Sequence, residues 1–176
     1  MPPLRIIALT GLKHVGKSSV GRYVATHSNR LQGDTDEELA RSAGAATPRD
    51  VYRNYGKETF AEMETAALET LISRAKRAER EMVVATGGGI CDNEQAFDLL
   101  THQTTIVFLD APTDLLYARF STHGAPAFLD PARPYDHFVE LAAQRRKRYG
   151  SVATYHVDAT LLNVAQIGDV ILELFG

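Results

Sequence analysis

Apolar residues in this chain fall into short runs, separated by longer stretches in which they recur every three to four positions. Leu4 to Leu9 (broken only by Arg5), Met82 to Thr86 and Thr105 to Leu109 are predominantly apolar runs of strand length, the pattern of strands buried on both faces. A weaker strand ends at Gly33, with Leu31 nearly its only apolar residue, and a fifth spans Val152 to Val157. Between them the spacing predicts helices over Ser18 to His27 and Glu58 to Glu79, the latter carrying Phe60, Met63, Ala67, Leu68, Leu71 and Ile72 on one face. Thr47-Pro48 and Ala111-Pro112 are helix starts, and further helices run from Asp136 to Tyr149 and from Val164 to Phe175. Residues 122 to 135 contain Gly124, Pro126, Pro131 and Pro134, which is loop composition. Strands alternating with helices predict an α/β fold, helices layered on both faces of a mostly parallel sheet.

Composition narrows this picture. A chain of 176 residues suits one domain over residues 1–176. A net charge of −3 offers no general surface for nucleic acid, and no apolar stretch approaches the ~20 residues of a membrane span. One cysteine, Cys91, excludes an internal disulfide, and the chain enters strand-like sequence within a few residues, without a signal peptide pattern. The expectation is a cytoplasmic protein.

Gly11, Leu12, Lys13, His14, Val15, Gly16, Lys17 and Ser18 match the phosphate-binding pattern G-x-x-x-x-G-K-[ST], directly after the first strand and, with Ser19, opening the first helix. In such a loop the backbone N–H groups converge on an anion and the helix N-terminus adds partial positive charge. Lys17, facing ligand and solvent, reaches the outer phosphates of a nucleoside triphosphate, and the Ser18 hydroxyl takes a position on Mg²⁺. His14 faces solvent.

Two further constellations follow strands. Asp34 and Asp36, two residues apart, share one face if the chain there is extended. One carboxylate can then serve the metal or its waters, and the other can accept a proton from an attacking hydroxyl. An Asx turn at Asp34 and a helix N-cap at Asp36 account for the same residues. Gly87, Gly88 and Gly89 close the Met82 to Thr86 strand, where a backbone without side chains can approach a ligand closely.

The loop ending Gly16-Lys17-Ser18, the Asp34-Thr35-Asp36 pair, Gly56-Lys57-Glu58-x-Phe60-x-x-x-Glu64 and the triple glycine occur in an order and spacing that resembles shikimate kinase over essentially the whole chain. The resemblance implies a P-loop kinase fold with a five-stranded parallel sheet in the order 2-3-1-4-5. It also implies a lid at about 122–135, a substrate-binding helical region at about 36–64, and transfer of the γ-phosphate of ATP to a hydroxyl of shikimate. It implies roles as well: Lys17 at the transferring phosphoryl group, Ser18 and Asp34 at the metal, and Asp36 as base or orienter of the acceptor hydroxyl. Gly87, Gly88 and Gly89 would line the acceptor pocket, Arg145 would pair with the acceptor carboxylate, and Arg119 would stack on adenine.

The chain departs from the pattern at cations. The arginine expected after Phe60 is Ala61, the expected lid arginine is Ala125 in Ala125-Pro126-Ala127-Phe128, and none follows the last strand in residues 157–162. Lys57 and Arg133 are allowed replacements. Shikimate kinase activity, phosphorylation of another small hydroxy acid or polyol, and a catalytically silent nucleotide-binding module are therefore all compatible with the residues.

Overall fold

The computed structural model describes residues 4–121 and 129–176. Five parallel strands, β1 (Ile6–Thr10), β2 (Leu31–Asp34), β3 (Met82–Ala85), β4 (Thr105–Asp110) and β5 (Tyr155–Asp158), form one sheet in the order β2-β3-β1-β4-β5. Among the described residues seven α-helices surround it: α1 (Lys17–Ser28), α2 (Thr35–Ser42), α3 (Pro48–Ala78), α4 (Glu94–Gln103), α5 (Thr113–Ser121), α6 (Pro134–Val152) and α7 (Val164–Phe175). No described helix is long and apolar enough to cross a membrane.

The alternation of side chains along each strand builds the two faces. Ile7 and Leu9 of β1 pack with Val83, Val107 and Leu109 under α1, α5, α6 and α7. Ile6 and Ala8 pack with Met82, Val84, Ile106 and Phe108 against α3 and α4. A third, smaller cluster joins Leu39, Val51 and Ala67, with Phe60 and Met63 half-buried beside it. It ties α2 to α3 beside the carboxyl end of β2.

Register brings the strand ends together: Leu9 of β1 lies beside Ala85 and Val107, and Asp34 lies beside Ala85. Strand order reverses at β1, between β3 and β4, so the loop after β1 sits over the crevice where ligands of open α/β sheets collect.

The structure differs from the sequence reading in four places. The last strand begins at Tyr155, because α6 continues through Val152 and the Ala153 N–H still bonds the Tyr149 carbonyl at 3.0 Å. The helix expected from Glu58 is the second limb of α3, which starts at Pro48 and bends at Gly56 (φ 80°). Helix α4 was not expected; only Ala96 and Leu100 on it are fully buried, too narrow a stripe to give a helical period. Finally, Asp34 and Asp36 are not in extended chain, since β2 ends at Asp34 and α2 begins at Thr35. Residues 122–128 of the expected lid, Ala125 to Phe128 among them, lie outside the described residues.

Candidate active site

The loop between β1 and α1 turns on three residues with positive φ: Gly11 at 139°, His14 at 66° and Gly16 at 105°. A Cβ at Gly11 would stand 2.3 Å from the Leu109 carbonyl oxygen. Gly11→Ala is therefore expected to destabilise the fold by about 2–4 kcal/mol, lowering Tm by roughly 5–15 °C in a calorimetric scan. His14 does not simply face solvent. It is half-buried, its ring meets Phe120 edge-on at 4.6 Å, and its carbonyl accepts from Arg119 Nη1 at 2.9 Å. Helix α5 thus holds the one loop residue that pays a steric cost for a left-handed conformation. Arg119, expected at adenine, reaches the loop backbone here.

Helix α1 opens at Lys17 with neither a side-chain cap nor an acidic residue in its first turn, which leaves N–H groups pointing into the loop. Lys17 is buried rather than solvent-facing, and its ammonium donates to the Gly11 and Leu12 carbonyls, both at 2.9 Å. An ammonium has three donors, so one remains for a ligand. Burial pushes its pKa down to about 8; Lys13 and Arg145 act in the same direction, while Asp36 and Asp34 oppose them.

Ser18 Oγ donates to Asp34 Oδ2 at 2.6 Å. The other oxygen of Asp34 accepts from the Asp36 and Glu37 N–H groups at 2.9 and 3.3 Å. The N-cap of α2 is therefore Asp34, and Asp36 sits in the first turn with its carboxylate turned toward the glycines after β3. A Cβ at Gly87 would lie 2.6 Å from Asp36 Oδ1. Desolvation raises the Asp36 pKa, the neighbouring Asp34 raises it further, and Lys17 and Lys13 oppose both. Lys13, Lys17, Ser18, Asp36, Thr86 and Gly88 line one open cleft of about 260 Å³.

The far wall of the cleft is the glycine turn and what braces it. Gly87 N–H donates to Thr35 Oγ1 at 2.9 Å, and Tyr149 donates its hydroxyl to the Gly88 carbonyl at 3.0 Å. A Cβ at Gly89 would touch Arg145 Nη2 at 2.8 Å. Arg145 pairs with Asp92 through Nε at 3.0 Å and Nη2 at 2.7 Å. Glu64, on α3, comes to the same turn: its Oε1 lies 3.4 Å from a Cβ built at Gly87, and its Oε2 accepts from Asn93 Nδ2 at 3.0 Å.

A family model for shikimate kinase matches residues 13–175. The chain belongs to the shikimate kinase family. A shikimate kinase of Staphylococcus aureus is 30% identical over 174 residues, covering 96% of this chain and 92% of that one. The shikimate kinase of Acinetobacter baumannii, solved in complex with shikimate, superposes with a TM-score of 0.86 at 28% identity, covering 98% of this chain and 93% of the other. That of Aquifex aeolicus gives 0.73 at 27% identity, covering 97% and 96%. As a shikimate kinase family member the chain is a phosphotransferase by descent, and its strand order is the one the resemblance implied.

Among the residues expected from sequence, the loop, Asp34, Asp36 and the three glycines come together around one cleft, and Arg145 stands at its glycine wall. The proposed substitutes for missing arginines do not join them. Lys57 is exposed, and Arg133 pairs with Glu140 at 2.9 Å and Asp130 at 3.6 Å on its own stretch of chain. Ala61 is half-buried, its carbonyl accepting from Asn93 Nδ2 at 2.8 Å.

The sequence reading places Glu64 only within a motif and gives Asp92, Asn93 and Tyr149 no part in the site. A signal for Glu64 existed: it falls four residues after Phe60 and three before Ala67, on the buried face of α3, where a carboxylate is out of place. Burial pushes its pKa up to about 7, Asp36 and Asp92 add to the shift, and Asn93 and Arg145 oppose it. The folded protein therefore binds a proton that the unfolded chain releases, and stability falls as pH rises from the ordinary 4.5 through about 7. Glu64→Gln, which mimics the protonated side chain, is expected to remove this decline, worth at most ~3 kcal/mol. Urea unfolding at about pH 5 and about pH 7.5 measures it.

Proposed function

We propose that the protein transfers the γ-phosphoryl group of ATP to a ring hydroxyl of shikimate. The observation that carries this reading is the cleft that Lys17 and Asp36 line together with Gly88, with Arg145 against the same glycine turn. The likeness to a shikimate kinase crystallised with shikimate supports the acceptor.

The residues fit a nucleotide and a divalent cation. The uncapped N-terminus of α1 suits phosphate oxygens. Ser18 Oγ and Asp34 Oδ2 are hard oxygen donors on the same side of the loop, and Mg²⁺ bound there would supply Lewis-acid charge to the phosphate oxygens. Among the described residues no cluster of three or more histidine, cysteine, aspartate or glutamate side chains would hold such an ion alone, so Ser18 and Asp34 would hold it together with oxygens from the phosphates and water.

In the reaction the loop N–H groups fix the triphosphate and Lys17 neutralises charge on the moving phosphoryl group. Asp36 orients the acceptor hydroxyl and takes its proton. The acceptor oxygen–phosphorus bond forms as the bond from phosphorus to the β,γ-bridging oxygen breaks; ADP leaves, and Asp36 returns its proton to water. Helix α2 and the first limb of α3 form the acceptor-binding region.

A second reading rests on Ala61, where the acceptor pocket lacks a cation that the resemblance led us to expect: another small hydroxy acid or polyol is the acceptor. ADP release from Mg-ATP separates the two readings, with shikimate run against an acceptor-free blank and a panel of hydroxy acids and polyols. Acceptor-dependent ADP with shikimate is the expected result; turnover confined to another acceptor overturns the first reading in favour of the second.

A further inference from the structure

We propose that Lys13 is a second phosphate-binding cation of the loop, placed on the acceptor side of the transferring phosphoryl group opposite Lys17. This inference rests on the phosphotransfer reading above and adds a residue to it.

The loop backbone fixes where Lys13 stands. A Cβ at Gly88 would lie 2.8 Å from the Lys13 nitrogen and 3.2 Å from its Cα, so this residue is wedged against the glycine turn. That is the acceptor wall of the cleft, and Lys13 lines the cleft with Lys17, Asp36 and Gly88. Its side chain is exposed, whereas Lys17 is buried and already committed to the Gly11 and Leu12 carbonyls. The charge of Lys13 reaches both flanking groups, drawing the Asp36 pKa down and that of Lys17 down with it. From the glycine turn the exposed Lys13 side chain shares the cleft that Asp36 and Lys17 also line.

The other cations nearby are engaged. Arg145 pairs with Asp92, Arg119 donates to His14, and Arg133 pairs with Glu140. Residues 120–130 contain no lysine or arginine. A phosphoryl group in flight spreads negative charge over three equatorial oxygens, and one cation buried under the loop meets only part of it. Lys13, on a long flexible stem, can meet an oxygen from the other side.

Full-length protein carrying Lys13→Met or Lys13→Arg tests this through turnover, ATP affinity and calorimetric binding of ADP with aluminium fluoride, which mimics the planar phosphoryl group. Lys13→Met is expected to lower kcat ~100-fold and to weaken the ADP–fluoride complex by a similar factor, with ATP affinity changed less than about threefold. Lys13→Arg keeps the charge and should recover at least a tenth of the parent kcat. Unchanged kcat and fluoride binding in Lys13→Met overturn the inference, and so does a loss of ATP affinity as large as the loss of turnover. If the parent protein gives no acceptor-dependent ADP, the functional reading fails by itself, and the fluoride comparison still decides the contribution of Lys13.

Discussion

Lys17→Met is expected to reduce phosphoryl transfer by at least about a thousandfold, while Tm changes by only a few degrees. The side chain is buried at the start of α1, and its ammonium bonds two loop carbonyls. Methionine is close to it in length and width, so the local packing is largely kept. Two opposing terms then set stability. Losing the two hydrogen bonds costs about 1 kcal/mol each. Removing a buried ammonium, whose pKa has been pushed from 10.5 down to about 8, relieves a desolvation cost of the same order.

The sign of that second term can be read from pH. Between about 8 and 10.5 the unfolded chain binds a proton at Lys17 that the folded protein has released. The parent therefore gains stability as pH rises through this window, and the penalty is fully present below it. Lys17→Met should lack that gain. Urea denaturation at about pH 7.5 and about pH 10 compares the two proteins, and steady-state ADP release measures transfer. Retained turnover would refute the loop assignment, and a collapse of Tm would show that the lysine chiefly holds the loop together.

What the sequence disclosed follows from where physical constraint is local. Strands β1, β3 and β4 are buried on both faces, so their apolar runs are unbroken. The phosphate loop was legible because backbone turns, an N–H cradle and a lysine are all written into eight consecutive residues. Strand β2 was faint for a reason visible in the structure: it is the sheet edge, and Gly33 packs directly under Leu71, so space rather than apolarity was selected there. Strand β5 is the other edge and buries only Val157, which is why the apolar end of α6 was drawn into it.

The acceptor side was less legible because its parts are joined across long sequence separations. Arg145 stood out, but its partner Asp92 lies 53 residues earlier, in the short turn after the glycines. Tyr149 reads as one more aromatic on a helix, yet its hydroxyl holds the Gly88 carbonyl. Glu64, Asn93 and the Ala61 carbonyl form one polar knot whose members show no common period. Only the glycine turn brings Glu64 of this knot beside Asp36, both carboxylates facing Gly87. With alanine at position 61, the buried carboxyl of Glu64 has an amide rather than a cation against it. Burial holds that carboxyl well above its ordinary range, with a pKa of about 7.

Asp36→Asn is the second large effect: turnover should fall by three to four orders of magnitude, with ATP affinity within about threefold of the parent. The reasoning is local. The backbone N–H of Asp36, not its side chain, serves the cap at Asp34, so the amide variant keeps the start of α2 intact. Losing a negative charge in a first helical turn costs only ~0.3–1 kcal/mol, and relief of repulsion from Asp34 offsets part of it. What the amide cannot do is accept the hydroxyl proton; it can only hold the hydroxyl in place. Acceptor KM should therefore change little while kcat collapses, the pattern of a group that acts in the transition state. If ATP affinity fell as far as kcat, Asp36 would belong to the nucleotide side of the cleft. If kcat fell less than tenfold, proton removal would not be its task, and the hydroxyl would lose its proton to phosphate as the new bond forms.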